Sequence, residues 1–125
     1  MFIRRNANPE NKNVNDCIVR AISIVENIPW DDVFSALCEI AVEEKAMPNY
    51  EGVYEKCLAN LCYVKAFVED EYGGLQPMLY KFAMDHPDIK AVLSVEGHAV
   101  PLINGDYYDI YDCGRQKVSL YYVKE

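Results

Sequence analysis

Two residues of this chain, Cys17 and His98, are of the types and in the settings that acyl-transfer chemistry needs. Cys17 sits in Asn13-Val14-Asn15-Asp16-Cys17-Ile18-Val19-Arg20-Ala21-Ile22, where a polar, turn-prone run gives way to an apolar-periodic one. Asn15 or Asp16 can cap the new helix by accepting hydrogen bonds from its first free N–H groups. Cys17 then lies in the first turn, where unpaired N–H groups and the helix macrodipole present partial positive charge. That setting favours thiolate, the nucleophilic form. The competing fate of such a cysteine is to be one more small buried hydrophobe. His98 follows Gly97 and leads into a β-rich segment, and the glycine leaves room beside the imidazole for another backbone or a substrate. A base within reach of a thiol, itself oriented by a carboxylate, is the general triad arrangement.

Hairpin parity selects the carboxylate. Asn104-Gly105-Asp106 is the strongest hairpin signal in the chain. Read as a three-residue loop, it sets Ile103 opposite Tyr107, and so Leu102 opposite Tyr108 and Val100 opposite Ile110, the last two pairs forming a coherent apolar face. On that face His98 stands opposite Asp112, while Asp109 pairs with Pro101 on the other side. The expected triad is therefore Cys17, His98 and Asp112. The second histidine, His86, precedes Pro87 at a helix end, where a polar side chain caps the last carbonyls. Cys57, Cys62, Cys113 and His98 could supply four zinc ligands, but their spacing is not a zinc pattern, and neither a metal nor a cofactor is expected.

The elements that must position these groups follow from periodicity. Residues 1–16, with Pro9 and five asparagines, read as an extended or looped arm. A first helix runs from about Cys17 to Asn27, with Ile18, Ala21, Ile22 and Val25 as its buried stripe. Pro29 closes it and opens a second helix, with Asp31 and Asp32 in the first turn and Phe34, Leu37, Cys38, Ala41 and Val42 as its core face. Met47-Pro48-Asn49 breaks the chain before a third helix from about Tyr50 to Leu61. Cys62–Val68 reads as a strand, Glu69–Gly74 as a charged loop, and Leu75–Asp85 as a short helix. Lys90–Glu96, His98–Ile103, Tyr107–Asp112 and Val118–Val123 are short β-rich segments. The pattern is α+β in a single domain spanning 1–125: a helical part over about 17–85 and an antiparallel sheet over about 90–124.

Composition narrows the function classes. With 125 residues and half of them apolar, the chain can build a core without disulfides or metals. The five cysteines are an odd number, and the N-terminal residues lack the apolar stretch of a signal peptide, so the expected location is cytoplasmic, with reduced thiols. No apolar run approaches a membrane span. A net charge of −8 leaves no basic patch for phosphates, which argues against nucleic acid. It permits a cationic protein partner.

Asp16-Cys17 opening a helix, Gly97-His98-Ala99-Val100 opening a strand, and an acid on the following strand together resemble the papain-like (clan CA) cysteine peptidases. The likeness is greatest to compact members such as the double-glycine leader peptidases. The order Cys, His, Asp fits that family and excludes caspase-like enzymes. The stretch is also similar to small uncharacterised bacterial and phage proteins that share Asp-Cys-x-x-Arg-Ala, here Asp16 to Ala21. The resemblance implies a papain-like fold and a thiol hydrolase that cleaves a peptide, isopeptide or amide bond in a protein or peptide substrate. It implies an oxyanion donor six residues before the nucleophile, which here is Asn11 in place of the family's glutamine; Asn13 or Asn15 could substitute. Arg20, one turn after Cys17, has two roles open to it: reading a substrate carboxylate, or pairing with an internal acid. The other function class is a non-catalytic interaction or inhibitor protein, phage- or mobile-element-encoded, using the same scaffold and its acidic surface.

Overall fold

The computed structural model describes residues 1–124. In chain order the elements are β1 (Phe2–Arg4), α1 (Cys17–Glu26), α2 (Trp30–Glu44), α3 (Glu51–Asn60), β2 (Tyr63–Phe67), α4 (Leu79–Asp85), β3 (Lys90–Val95), β4 (His98–Ile103), β5 (Asp106–Asp109) and β6 (Val118–Lys124). A 3-10 turn covers Val68–Asp70. The six strands form one sheet in the order β1-β5-β4-β3-β6-β2. Every neighbouring pair is antiparallel except β1 with β5, which is parallel. The α+β class is as expected, with four helices on a mixed sheet. Among the described residues no helix is long and apolar enough to cross a membrane.

The sheet is covered on both faces. Ile18, Ile22 and Val25 of α1, Val33 and Leu37 of α2 and Val53 and Leu58 of α3 pack with Val92 and Tyr122 on one face. Leu79 and Phe82 of α4 pack with Ala91, Leu93, Val100, Leu102 and Tyr121 on the other. Central strand β3 is therefore apolar at consecutive positions, as a strand buried on both sides must be. Helix α1 is buried at every position from Ile18 to Val25. A helix enclosed on all sides has almost no freedom to shift, and α1 packs along β4. Its first residue is Cys17, and the first residue of β4 is His98.

Three sequence expectations change. Phe2–Arg4 is an edge strand rather than part of a loose arm, and Tyr63–Phe67 closes the opposite edge, so the sheet extends well beyond residues 90–124. The buried stripe of α2 is Val33, Leu37 and Ala41, while Phe34 and Val42 are exposed and Phe34 stacks on Trp30. Gly97 makes no room for a partner, since a Cβ there would meet nothing within 4 Å. It is needed because Glu96 and Gly97 both have positive φ, 48° and 80°, in the two-residue turn between β3 and β4.

Candidate active site

The second hairpin decides the site. Ile103 pairs with Asp106 and Leu102 with Tyr107, so the loop between β4 and β5 is the two residues Asn104 and Gly105. Both have positive φ, 50° and 85°, as a primed turn requires. A two-residue loop moves the register by one from the three-residue expectation, and every side chain of β5 changes face. Asp109 then shares a face with His98 as a diagonal neighbour, and such pairs are within reach of long or ring side chains. The His98 Nε2 atom is 2.6 Å from Asp109 Oδ2. Asp112 is exposed beyond the end of β5, and its Oδ1 accepts a 2.9 Å hydrogen bond from the Gly114 backbone N–H. The expectation that Asp112 orients His98 is therefore corrected to Asp109.

Asp109 is only 3% exposed and fully engaged. Its Oδ1 accepts from the Ile110 N–H at 2.7 Å and from Arg20 Nη1 at 3.4 Å. The Cys113 thiol donates to Oδ2 at 3.4 Å. Arg20 continues the network inward: its Nε donates to Asp16 Oδ1 at 3.0 Å. Asp16 Oδ2 accepts from Trp30 Nε1 at 3.0 Å and Asn8 Nδ2 at 3.2 Å. Asp16 thus occupies the N-cap position without capping through its side chain. Arg20 takes the internal of its two roles. Its side chain is 8% exposed and held by two carboxylates, and it also lines one of the recesses beside Cys17.

His98 bonds Asp109 through Nε2 and also hydrogen-bonds the Cys17 side chain. Burial pushes the Cys17 thiol up, but the His98 hydrogen bond, the Ala99 backbone N–H and the positive charges of His98 and Arg20 outweigh it and hold the pKa below the ordinary thiol value. His98 moves the other way. Hydrogen bonding to Asp109 first, then to Cys17, raises it from 6.5 to about 9, against the effect of burial. Burial also pushes the Asp109 carboxyl up, and its bonds to His98 and Ile110 more than reverse that. The shifts agree in sense: each favours the charged form, thiolate for Cys17, imidazolium for His98 and carboxylate for Asp109. Cys113 differs: burial, together with the adjacent Asp109, pushes its thiol up and keeps it protonated.

A raised histidine pKa has a direct signature. Followed by NMR, the His98 imidazole should remain protonated through neutrality and titrate near pH 9. Asp109→Asn removes the carboxylate charge and should bring that midpoint down toward 6.5. A midpoint near 6.5 in the wild-type chain contradicts the network described above.

Cys17 and His98 stand between two recesses. One, of about 300 Å³, includes Ile18, Tyr54, Val92 and Tyr122 in its lining. The other, of about 320 Å³, includes Asn13, Val14, Ile110 and Tyr111. The Tyr111 ring stacks on His98 with centroids 5.6 Å apart and planes 29° from parallel. Asn15 lines both recesses. Asn13 lines the second, and Asn11 lines neither. A sequence reading that fixed the hairpin register would have found Asp109 and Tyr111 together, because both follow from it. Cys113 and the inward turn of Asp16 carried no local signal.

The other thiols stand apart from this constellation. Cys57 is buried in the α3 stripe, and Cys62 is exposed with φ 69° where α3 hands over to β2. Among the described residues no three histidine, cysteine or carboxylate side chains gather as a metal site. His86 accepts the role expected of it, with Nδ1 2.8 Å from the Phe82 carbonyl, and its Nε2 is 2.7 Å from Glu71. Glu71 also accepts from Tyr121, so the charged loop after β2 is tied to α4 and β6. No family model, no curated protein and no solved structure matches the chain.

Proposed function

We propose that this chain is a small thiol hydrolase or acyl transferase of the papain-like kind, acting on a peptide, isopeptide or amide bond through Cys17, His98 and Asp109. The observation that carries the reading is the buried Asp109 carboxylate 2.6 Å from His98 Nε2, with Cys17, the first residue of α1, hydrogen-bonded to the same imidazole. A buried salt-linked histidine needs no thiol beside it to serve the fold. A thiol held below its ordinary pKa by that histidine suits a nucleophile.

The steps follow from the protonation state. The Cys17 thiolate attacks the carbonyl carbon, and the electron pair moves to the carbonyl oxygen. The Cys17 backbone N–H and an Asn15 or Asn13 amide are the donors for that oxyanion, each worth roughly 3 kcal/mol in such sites. His98 gives its proton to the leaving nitrogen as the C–N bond breaks, leaving a thioester and a neutral imidazole. The imidazole then takes a proton from water, or from an acceptor amine, as it attacks the thioester. Cys17 leaves as thiolate and His98 is an imidazolium again. Asp109 holds the ring in orientation throughout and stabilises its charge.

Alkylation with iodoacetamide, mapped to each cysteine by peptide mass, tests the thiol. Cys17 should react fastest of the five and keep its rate below pH 7, where an ordinary thiol with pKa near 8.5 is almost wholly protonated. Equal rates at all five, or a Cys17 profile that follows an ordinary thiol, would sink the enzyme reading.

A further inference from the structure

The recess on the Tyr111 side of Cys17 does not end there. Across Asn13 and Ile110, which line both, it opens into another recess of about 410 Å³ lined by Arg4, Arg5, Asn6, Asn11, Asn13 and Ile110. We propose that this recess is a carboxylate-recognising subsite of the Cys17 cleft, placing an acidic group of the substrate a few residues from the bond that reacts. The proposal rests on the thiol-hydrolase reading and names the substrate class it would take.

Its charge runs against the rest of the molecule. In a chain of net charge −8, two adjacent arginines face a cleft lined otherwise by three asparagines and Ile110. Among the described residues neither Arg4 nor Arg5 forms a salt bridge to an acidic side chain, whereas Arg20 holds two. The side chains of Arg5, Asn11 and Asn13 make no hydrogen bond within the described residues. Their donors are therefore available to a ligand. Guanidinium forks match a carboxylate in two parallel hydrogen bonds, and amide N–H groups complete its shell. The reading of the cleft as a peptide site makes carboxylate the anion it would meet.

The placement is built into the fold. Arg4 pairs with Asp109 across the parallel β1–β5 ladder, and the Arg5 N–H donates to the Asp109 carbonyl at 2.9 Å. Arg4 Nη1 also donates to the Ile110 carbonyl, which fixes its guanidinium at the mouth of the recess. The β1–β5 ladder thus holds the arginines in fixed register beside the Asp109 carboxylate's strand. This also accounts for Asn11, which lies in the subsite rather than at the oxyanion. Its backbone holds φ 55°, and its N–H donates to the Asn8 carbonyl at 2.9 Å.

The test uses the full chain as Cys17→Ala, so that binding is read without reaction. Acetylated octapeptide amides of alanine and serine carry one Asp at successive positions, each with an Asn counterpart. One further octapeptide has a free C-terminal carboxylate. Affinities are read by isothermal titration calorimetry in every variant, and the Arg4 and Arg5 side-chain Nε–H NMR signals locate the bound carboxylate where both arginines are present. At one or two positions Asp should bind about tenfold tighter than Asn, more so at low salt, and Arg4→Gln/Arg5→Gln should abolish the preference. A gain confined to the free C-terminus assigns the subsite to a chain end; a gain for internal Asp assigns it to a side chain. Equal binding of Asp and Asn peptides, no binding of either, or a preference that survives Arg4→Gln/Arg5→Gln overturns the proposal. Iodoacetamide labelling of the wild-type thiol is scored separately, so an inert Cys17 and an absent carboxylate preference are distinct results.

Discussion

Replacing Asp109 by alanine should slow Cys17 alkylation at pH 6 markedly, and Asp112→Ala should leave it within about twofold. The direction comes from the thiolate fraction. Asp109 is the first cause of the raised His98 pKa, and the His98 hydrogen bond is the first of the effects that lower the Cys17 pKa. Without the carboxylate the imidazolium is lost near neutrality, burial of the thiol is opposed only by the Ala99 N–H and the Arg20 charge, and at pH 6 a thiol with pKa near 8.5 is well under one per cent ionised. His98→Ala should match Asp109→Ala in this assay. Asp109→Asn should fall between, because its amide oxygen can still accept from Nε2–H and hold the ring while the charge is gone. If a substrate is in hand, the same order should appear in turnover, with a loss of about 10²–10⁴-fold for His98→Ala. Asp112 bonds only its own turn, at Gly114, so its removal touches no member of the triad. A loss at Asp112 equal to that at Asp109 would return the third position to the exposed acid.

The difference between those two aspartates shows where sequence reading stopped. Cys17 and His98 were legible because each opens a strongly patterned element, and element starts are marked by abrupt changes in residue type. The third member depends on whether Asn104-Gly105 or Asn104-Gly105-Asp106 forms the turn. Both loops are good hairpin chemistry, and the apolar residues of β4 and β5 fit either register. Pro101 is buried, and Tyr107 and Tyr108 differ in burial only because the shorter turn selects Tyr107 for the core. One residue of loop length therefore transferred the carboxylate from one strand position to another. β1 was illegible for a different reason. Three residues, Phe2 to Arg4, carry too little periodicity to read as a strand, and what makes them one is the open edge of β5. The face of α2 was misjudged because Phe34 and Val42 are apolar yet point away from the sheet, leaving Val33, Leu37 and Ala41 to it. Strand and helix identity was local information; register, edges and faces were tertiary.

Arg20→Met should destabilise the fold by about 3–5 kcal/mol, read as a lower urea midpoint at unchanged slope. The side chain bridges Asp16 at 3.0 Å and Asp109 at 3.4 Å, and these three residues are among the few buried polar or charged ones. Removing the cation leaves two carboxylates facing an apolar group in a site with little water, and breaking a buried pair costs more than the pair itself contributes. Trp30, Asn8 and the Ile110 N–H still donate to the two acids, which limits the loss. Arg20→Lys tests the geometry apart from the charge. An ammonium cannot present the Nε and Nη1 donors at once in the fixed spread of a guanidinium, so lysine should recover only part of the stability. Asp16→Asn with Arg20→Met should cost less than the sum of the two, since the pair is lost once rather than twice. Because Arg20 also lends positive charge to Cys17, Arg20→Met should shift alkylation modestly toward higher pH, and Arg20→Lys, which keeps the charge, should shift it less. A substrate-reading arginine behaves otherwise, with stability kept and peptide binding lost. Arg20→Met that folds as well as the wild type while losing peptide binding would therefore move this residue from the frame into the cleft.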